Sequence, residues 1–153
     1  MPSINIAIVG VGNCASSLVQ GLSHYRPGAN HTVGLMHWDV GGYRPCDIHV
    51  VAAWDIDQRK VGKDVAEAIF AKPNCTQVFC DDVSPSGAIV RMGRKLDGVA
   101  DHMSDYPDDR TFILADEPEP EQADVVRVLK ESRADVLVNY LPVGSQEGSE
   151  FYA

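Results

Sequence analysis

The chain has 153 residues, 44% hydrophobic and 23% charged, a composition typical of one globular domain with a sizeable core. Its formal net charge of -9 disfavours nucleic acids and anionic membranes as partners, because their phosphate groups would be repelled. No apolar run approaches the ~20 residues that span a bilayer, and the N-terminus lacks the basic segment and cleavage site of a signal peptide.

The first half of the chain predicts a strand, a helix and a second strand. The apolar run Ile4–Val9 is typical of a central parallel strand, and the residues after it favour a helix from about Asn13 to His24. Arg26–Asp47, rich in Gly, Pro, His and Asn, predicts a long excursion without a sustained period. Ile48–Trp54 predicts the next buried strand, and Lys60–Ala71 a helix after it.

The middle of the chain gives a weaker signal. Between Asn74 and Arg110, only Gln77–Cys80 and Ala88–Gly93 indicate short strands. The segment Thr111–Asp116 is compatible either with another strand or with an irregular apolar segment.

The last part returns to strong patterns. A helix is predicted over 119–132, with acids in its first turn and with Val125, Val126 and Leu129 on one face. Ala134–Leu141 then predicts a buried strand, and the residues after it begin another helix. Helices that alternate with strands apolar on both faces indicate an α/β fold, a Rossmann-like parallel sheet with flanking helices.

The segment Gly10-Val11-Gly12-Asn13-Cys14-Ala15 has the pattern G-x-G-x-x-A between the first strand and the first helix. In this pattern the first glycine permits a tight turn, the second lets a pyrophosphate approach the backbone, and the alanine lets the helix pack close to the sheet. Free N–H groups and the positive end of the helix dipole then bind the diphosphate. The alternative is a turn whose small residues serve packing alone, but the flanking strand and helix favour dinucleotide binding.

Asp55 stands at the end of the second predicted strand, where an acid usually bonds the ribose hydroxyls of a dinucleotide. It follows Gly10 by roughly 45 residues instead of the usual ~20, because the Arg26–Asp47 segment is inserted between them. A carboxylate repels the 2′-phosphate of NADP, so NAD is the expected cofactor. Arg59 and Lys60 argue the other way, since bases here can hold that phosphate, although such residues more often begin a solvated helix.

Several distinctive blocks along the chain together resemble inositol-3-phosphate synthase, most closely the shorter bacterial and archaeal type and its actinobacterial members. The blocks are "AIVGVGNCASSLVQG", "GLMH", "VVAAWDID", "KVGKDVAEAIFA", "LDG" and "ADVLVNYLPVGSQEGSEFYA". The resemblance runs from Ile4 to Ala153. It implies an NAD-dependent isomerase of inositol and phospholipid biosynthesis that converts D-glucose 6-phosphate to 1D-myo-inositol 3-phosphate. It also implies that NAD takes a hydride from C5 of the open-chain sugar and returns it after C6 has attacked C1.

The resemblance further implies which residues contact the cofactor. The diphosphate loop of the family maps onto Gly10, Gly12, Asn13, Cys14 and Ala15. Asp64 and Tyr152 match positions that contact NAD in actinobacterial members, and Ser132 stands where those members have alanine, so its contact would be through the backbone. Without the resemblance, Asp64 would be interpreted as an exposed helix acid and Tyr152 as a packing aromatic.

Other polar residues of interest have weaker support. Ser145 opens the last predicted helix and either caps it or donates to the cofactor, with capping the favoured role. His37, His49 and His102 are acid–base candidates by residue type only, and no partner marks them, so structural roles are favoured.

The four cysteines form no C-x-x-C pair, so neither a zinc site nor a disulfide framework is indicated. They are Cys14, Cys46, Cys75 and Cys80. Free thiols in a reducing compartment are expected, and with them a cytoplasmic protein without a bound metal. Cys14 lies where a helix N-terminus favours a thiolate, but it is interpreted as a small packing residue.

A complete dinucleotide fold needs two βαβαβ halves, and residues 1–153 supply the first half plus one strand and one turn. The resemblance implies that the catalytic lysines, the sugar-phosphate site and the tetramer-forming sheet lie beyond the position matching Ala153. We therefore expect an NAD-binding, N-terminal portion of a homotetrameric enzyme, with no catalytic residue in this chain. The alternatives are a truncated non-catalytic nucleotide-binding module and a Rossmann oxidoreductase acting on another sugar phosphate.

Asp55 leads to a prediction about cofactor preference. The complete enzyme should bind NAD more tightly than NADP, because a carboxylate close to the 2′-phosphate is repulsive, and Asp55→Ala should narrow that preference. Calorimetric titration with each cofactor measures both affinities, and tighter binding of NADP to the unsubstituted enzyme would contradict the prediction.

Overall fold

The computed structural model describes residues 3–28 and 32–153. Its strands are β1 (Ile4–Val9), β2 (Ile48–Asp55), β3 (Val90–Met92) and β4 (Val136–Asn139). They form one sheet in the order β3-β2-β1-β4, and every neighbouring pair is parallel. The predicted fold class, a Rossmann-like parallel sheet with flanking helices, is confirmed.

Among the described residues, four α-helices connect and flank these strands: α1 (Asn13–His24), α2 (Val65–Ala68), α3 (Gln122–Glu131) and α4 (Gln146–Tyr152). The bounds of α1 match the prediction. The helix predicted over Lys60–Ala71 is much shorter, because Gly62 adopts a φ of +83° and Asp64 starts a new helix by accepting a hydrogen bond from the Ala66 N–H. None of the helices in the described ranges is both long and apolar enough to cross a membrane.

The core lies on both faces of the sheet. Successive residues of β1 point to opposite faces, so Ile6 and Ile8 pack with α1 and α2, while Ala7 and Val9 pack with α3 and α4. Burial of a large apolar side chain such as Ile8 or Trp54 stabilises the fold by roughly 1.5–3 kcal/mol. This two-sided burial explains why the strands read as continuous apolar runs.

The helix α3 packs through a different set of residues from the one predicted. Val125 is buried as expected and Leu129 packs beside it, but Val126 is 46% exposed and Val128 is buried in its place. The buried spacing is therefore i, i+3, i+4, the spacing of a single helix face.

The middle segments are mostly irregular. The strand predicted at Gln77–Cys80 is absent from the described structure, because the Phe79 and Cys80 N–H groups donate to the side-chain oxygen of Gln20. The short strand predicted within Ala88–Gly93 is present as β3, Val90–Met92. Thr111–Asp116 is the irregular alternative, linked to the segment after β2 by an isolated antiparallel bridge.

The long excursion after α1 adds no strand to the sheet among its described residues. It contains a short 3-10 helix, Pro45–Asp47, and an isolated bridge between Val40 and Tyr43. Residues 29–31 of the predicted Arg26–Asp47 excursion lie outside the described residues.

Strand β4 is less buried than predicted. Within the described ranges it pairs only with β1, and Val136 is 48% exposed. The sequence Ala134–Leu141 is apolar enough for a central strand, but here it forms an edge.

A stability prediction follows from the sharp turn after β1. Gly10 has a φ of +88°, and a Cβ built on it would lie 2.8 Å from the carbonyl oxygen of Tyr140. Gly10→Ala should therefore lower the free energy of unfolding by about 2 kcal/mol or more, measured by urea denaturation. Gly62→Ala is the matched control, because Gly62 has a φ of +83° but nothing within 4 Å of a built Cβ. Equal losses in the two variants would show that the contact with Tyr140 contributes nothing.

Candidate functional site

A cleft of about 220 Å³ opens at the carboxyl edge of the sheet. Ligands collect at this edge in open parallel sheets. Its walls come from the loops after all four strands and from the ends of β1 and β2. The residues that line it include Val9, Gly10, Gly12, Asn13, Trp54, Asp55, Lys60, Asn74, Arg94, Leu141 and Tyr152. Five of the predicted cofactor-contact residues are in this lining: Gly10, Gly12, Asn13, Asp55 and Tyr152.

Gly10 makes the turn that brings the loop into the cleft. Its N–H donates to the Trp54 carbonyl at 2.9 Å, which ties the loop to the end of β2. On the other side, the Tyr140 backbone passes too close for any side chain at this position. The tight turn expected of the first glycine is present, and the close passage of the chain after β4 adds a second reason for glycine.

Packing within the protein does not require a glycine at position 12. Its φ of -89° suits any residue, and a Cβ built on it would meet nothing within 4 Å. The space beside it belongs to the cleft. A ligand that approaches the backbone closely would need that space, so the structure contains the cradle that a side chain at Gly12 would fill.

The start of α1 offers unsatisfied donors to the same space. Gly12 is the N-cap and provides no side-chain cap, and the first turn has no acidic residue. In residues 3–28 and 32–153, the N–H groups of Gly12, Asn13, Cys14 and Ala15 have no protein acceptor. Such donors, together with the helix dipole, favour an anionic group such as a phosphate.

The side chains that follow Gly12 have structural roles. The Asn13 amide oxygen accepts from the Cys75 N–H at 2.8 Å and the Thr76 N–H at 3.1 Å, which holds a distant segment across the loop. Ala15 is fully buried against the sheet, as its packing role requires. Cys14 is exposed, and neither Cys14 nor Ala15 is among the cleft-lining residues, so any contact of theirs with a diphosphate through the backbone stays a prediction.

Asp55 holds the loop as well as lining the cleft. Its Oδ2 accepts from the Val11 N–H at 2.7 Å, and its Oδ1 accepts from the N–H groups of Ile56 and Asp57 at 2.8 and 2.9 Å. A carboxylate has about four lone-pair sites, so acceptor capacity remains on Oδ2. The acid at the end of β2 thus crosslinks β2 to the glycine loop, and its contact with a ribose stays a prediction.

Arg59 and Lys60 do not begin a solvated helix, so that interpretation was wrong. Lys60 is only 3% exposed, and its Nζ donates to the Val11 carbonyl and to the Asn74 side-chain oxygen, both at 2.9 Å. Arg59 pairs with the fully buried Asp57 and donates to the carbonyl of Thr111. Neither cation is therefore free to hold a 2′-phosphate.

The pairing with Arg59 also sets the ionisation of Asp57. Burial acts to raise the pKa of Asp57, but hydrogen bonds from Arg59 and from the Ile113 N–H outweigh burial and lower the pKa. A carboxyl group that stays ionised in the core is then available to link the segment after β2 to residues 111–113.

Two predicted contacts lie away from the cleft. Asp64 caps α2 and accepts from the Gly87 N–H at 2.7 Å; burial acts to raise its pKa, but these bonds lower it. Ser132 follows α3, and its neighbour Arg133 accepts from the side chain of Asn5 near the amino end of β1. Ser132 is therefore at the opposite edge of the sheet from the cleft, and the structure brings neither residue to it.

Tyr152 connects α4 to the cleft. It is 6% exposed, its ring lies 6.1 Å from that of Trp54, and its hydroxyl accepts from the Arg94 N–H at 2.8 Å. Burial raises the pKa of Tyr152, so its hydroxyl stays protonated near neutral pH. Its packing role is evident, it also lines the cleft, and its contact with a cofactor stays a prediction.

The remaining candidates are placed elsewhere. Ser145 makes no side-chain cap, because Asp97 caps α4 instead by accepting from the N–H groups of Glu147 and Gly148, each at 2.9 Å. The pKa of Asp97 is lowered chiefly by the Gly148 bond. The three candidate histidines, His37, His49 and His102, are exposed and absent from the described lining of the cleft.

Comparison with known proteins confirms the resemblance that the motifs predict. The chain is 50% identical over 152 residues to inositol-3-phosphate synthase of Mycolicibacterium smegmatis, and 48% identical over 153 residues to that of Corynebacterium glutamicum. These alignments cover 98% and 99% of this chain. The chain spans only 39% and 40% of the length of these relatives and matches their N-terminal part. No model of a protein family matches the chain.

Similar solved structures support the Rossmann-like fold. The crystal structure of Ari2 superposes with a TM-score of 0.75 at 30% identity, covering 98% of this chain and 41% of that chain. A myo-inositol-1-phosphate synthase-related protein from Thermotoga maritima gives a TM-score of 0.66 at 22% identity, over 91% of this chain and 34% of that chain. The latter likeness concerns the fold alone.

The open space at Gly12 leads to a binding prediction. Gly12→Ala should leave the free energy of unfolding within about 1 kcal/mol of the original, because the new methyl group meets no protein atom. It should weaken binding of ADP, used as a diphosphate probe, by about tenfold or more. Calorimetric titration measures the affinity. Gly21→Ala, in the body of α1 and equally free of contacts, is the control, and equal ADP binding by both variants would contradict the prediction.

Proposed function

We propose that this chain is the NAD-binding portion of an inositol-3-phosphate synthase, the isomerase that converts D-glucose 6-phosphate to 1D-myo-inositol 3-phosphate. The glycine loop between β1 and α1, with open space at Gly12 inside the cleft, supports the cofactor assignment. The identity of about 50% to proteins named inositol-3-phosphate synthase supports the reaction.

The residues present fit a dinucleotide. The open space at Gly12 and the free N–H groups at the start of α1 suit the diphosphate. The remaining acceptor capacity of Asp55 suits a ribose hydroxyl, and the apolar walls at Val9 and Trp54 suit a planar ring. When bound, NAD would supply the reversible acceptance of a hydride from the sugar. The chain itself would bind and orient that cofactor.

Acid–base chemistry is assigned to the part of the relatives that this chain does not span. Three cations line the cleft. Lys60 bonds the glycine loop and Arg94 pairs with Glu119 and Glu121, whereas the Lys95 ammonium group makes no hydrogen bond or ion pair within the described residues. Residues 1–153 then form one NAD-binding domain. The sugar-phosphate site, the catalytic lysines and the surfaces of a cytoplasmic homotetramer would belong to the rest of a full-length enzyme.

The division of labour leads to a prediction about activity. The 153-residue chain alone should release no inositol phosphate from glucose 6-phosphate and NAD, because the groups that abstract the proton and stabilise the oxyanions are assigned to the part of the relatives that this chain does not span. It should still bind NAD weakly. Product release is measured by phosphate-ester chromatography, and binding by calorimetry.

The full-length synthase of Mycolicibacterium smegmatis, assayed in parallel, is the positive control. Turnover by the isolated chain would overturn the division of labour and would direct attention to Lys95 or His102. A soluble chain that binds no NAD would overturn the assignment as an NAD-binding portion.

A further inference from the structure

Lys60 is buried directly beneath the glycine loop. Its Nζ donates to the Val11 carbonyl at 2.9 Å and to the Asn74 Oδ1 at 2.9 Å, and it lies 3.7 Å from the Asp55 Oδ2. Asn74 in turn donates from its amide nitrogen to the same Val11 carbonyl at 3.1 Å. One backbone carbonyl of the loop is thus held by two side-chain donors, one of them charged.

That carbonyl belongs to the peptide group that joins Val11 to Gly12. A trans peptide is planar, with its C=O and N–H pointing in opposite directions. Because Lys60 and Asn74 draw the Val11 carbonyl towards the protein, the Gly12 N–H is turned the other way. In the described residues this N–H has no protein acceptor, and the space beside Gly12 is open.

The neighbouring peptide group is held by the opposite charge. The Val11 N–H, from the peptide joining Gly10 to Val11, donates to Asp55 at 2.7 Å. Asp55 and Lys60 therefore fix two successive peptide groups in defined orientations. Since the two charges lie 3.7 Å apart, their fields largely offset each other, and the effect on a ligand comes from the aim of the N–H group.

We propose that Lys60 is a positioning residue, which orients the Val11–Gly12 peptide so that the Gly12 N–H donates to a phosphate of the bound dinucleotide. This inference rests on the proposed cofactor site and adds a residue that reaches the ligand only through the backbone. A lysine is suited to this place because its ammonium group is a strong donor to a carbonyl, and because Asn74 and Asp55 offset the cost of burying it.

The orientation is tested on the unsubstituted chain by NMR. Titration with ADP should shift the Gly12 amide signal, and adenosine, which lacks the phosphates, should leave it in place. The Gly62 amide, which donates to the Val90 carbonyl at 2.8 Å, is the internal reference and should not move. A Gly12 signal that stays in place while ADP binds would overturn the proposal.

The role of Lys60 is tested by substitution. Lys60→Met keeps the length and apolar stem of the side chain but removes the donor, and should weaken ADP binding about tenfold or more while changing adenosine binding less than about twofold. Lys63→Met is the matched control, because Lys63 is a partly exposed lysine paired with Glu67. This variant should bind ADP and adenosine as tightly as the unsubstituted chain does. A general loss of structure in Lys60→Met would lower binding of both probes together. If Lys60→Met fails to fold, Lys60→Gln removes the charge and shortens the reach of the donor towards the Val11 carbonyl, and it should weaken ADP binding in the same direction, with adenosine binding again changed less than about twofold.

The outcomes separate the inference from the function on which it rests. If the unsubstituted chain binds neither ADP nor NAD, the proposed function fails and the role of Lys60 fails with it. If the unsubstituted chain binds ADP and the folded Lys60 variant binds it equally well, only the positioning role is overturned.

Discussion

The cleft depends on the close approach of three chain segments at Gly10. The Gly10 N–H is bonded to the end of β2 at Trp54, while the backbone that follows β4 passes at Tyr140, leaving no room for a Cβ. Parallel pairing of β1 with both β2 and β4 sets these positions, so the sheet order itself forces the loop into a sharp turn. Glycine fits this position because it has no side chain and readily adopts a φ of +88°.

Charged residues at the end of β2 and just after it then fix the shape of that turn. Asp55 and Lys60 hold the loop itself, and Asp57 with Arg59 ties the same segment to residues near Thr111. Breaking a buried ion pair by removing one partner costs about 3–5 kcal/mol, because the other charge is left uncompensated. The charges are therefore a set of mutually dependent contacts, and their burial gives the irregular segment after β2 a defined shape where a longer helix could have formed.

The features that could be predicted are those that depend on residues close together in the sequence. Apolar runs located β1 and β2, the 3.6-residue period located α1 and α3, and the spacing of Gly10, Gly12 and Ala15 located the turn between strand and helix. What escaped prediction depends on residues distant in the chain. The capping of α4 by Asp97 is one example, since Ser145 at the helix start was the local candidate.

Dependence on distant residues also explains why the burial of Arg59 and Lys60 was not predicted. On sequence alone Lys60 follows a strand end and precedes helix-forming residues, which is typical of a solvated helix start. Its burial depends on Asn74 and on the Val11 carbonyl, which only the folded loop brings within 2.9 Å of its Nζ. No periodicity in residues 55–65 could have signalled these contacts. A buried lysine among loop residues is visible only after the sheet order is known.

These contacts have a consequence for cofactor choice. In a dinucleotide-binding fold, the acid at the end of the second strand hydrogen-bonds the ribose 2′-hydroxyl. Here Asp55 also accepts the Val11 N–H and lies beside Lys60, so removing its charge leaves an orphaned N–H and a buried ammonium with one partner fewer. In the proposed NAD site, cofactor selectivity and loop geometry would therefore be coupled through the Asp55 carboxylate. A change of specificity that preserves the loop would have to supply a new acceptor for Val11 and a new counter-charge for Lys60 at the same time.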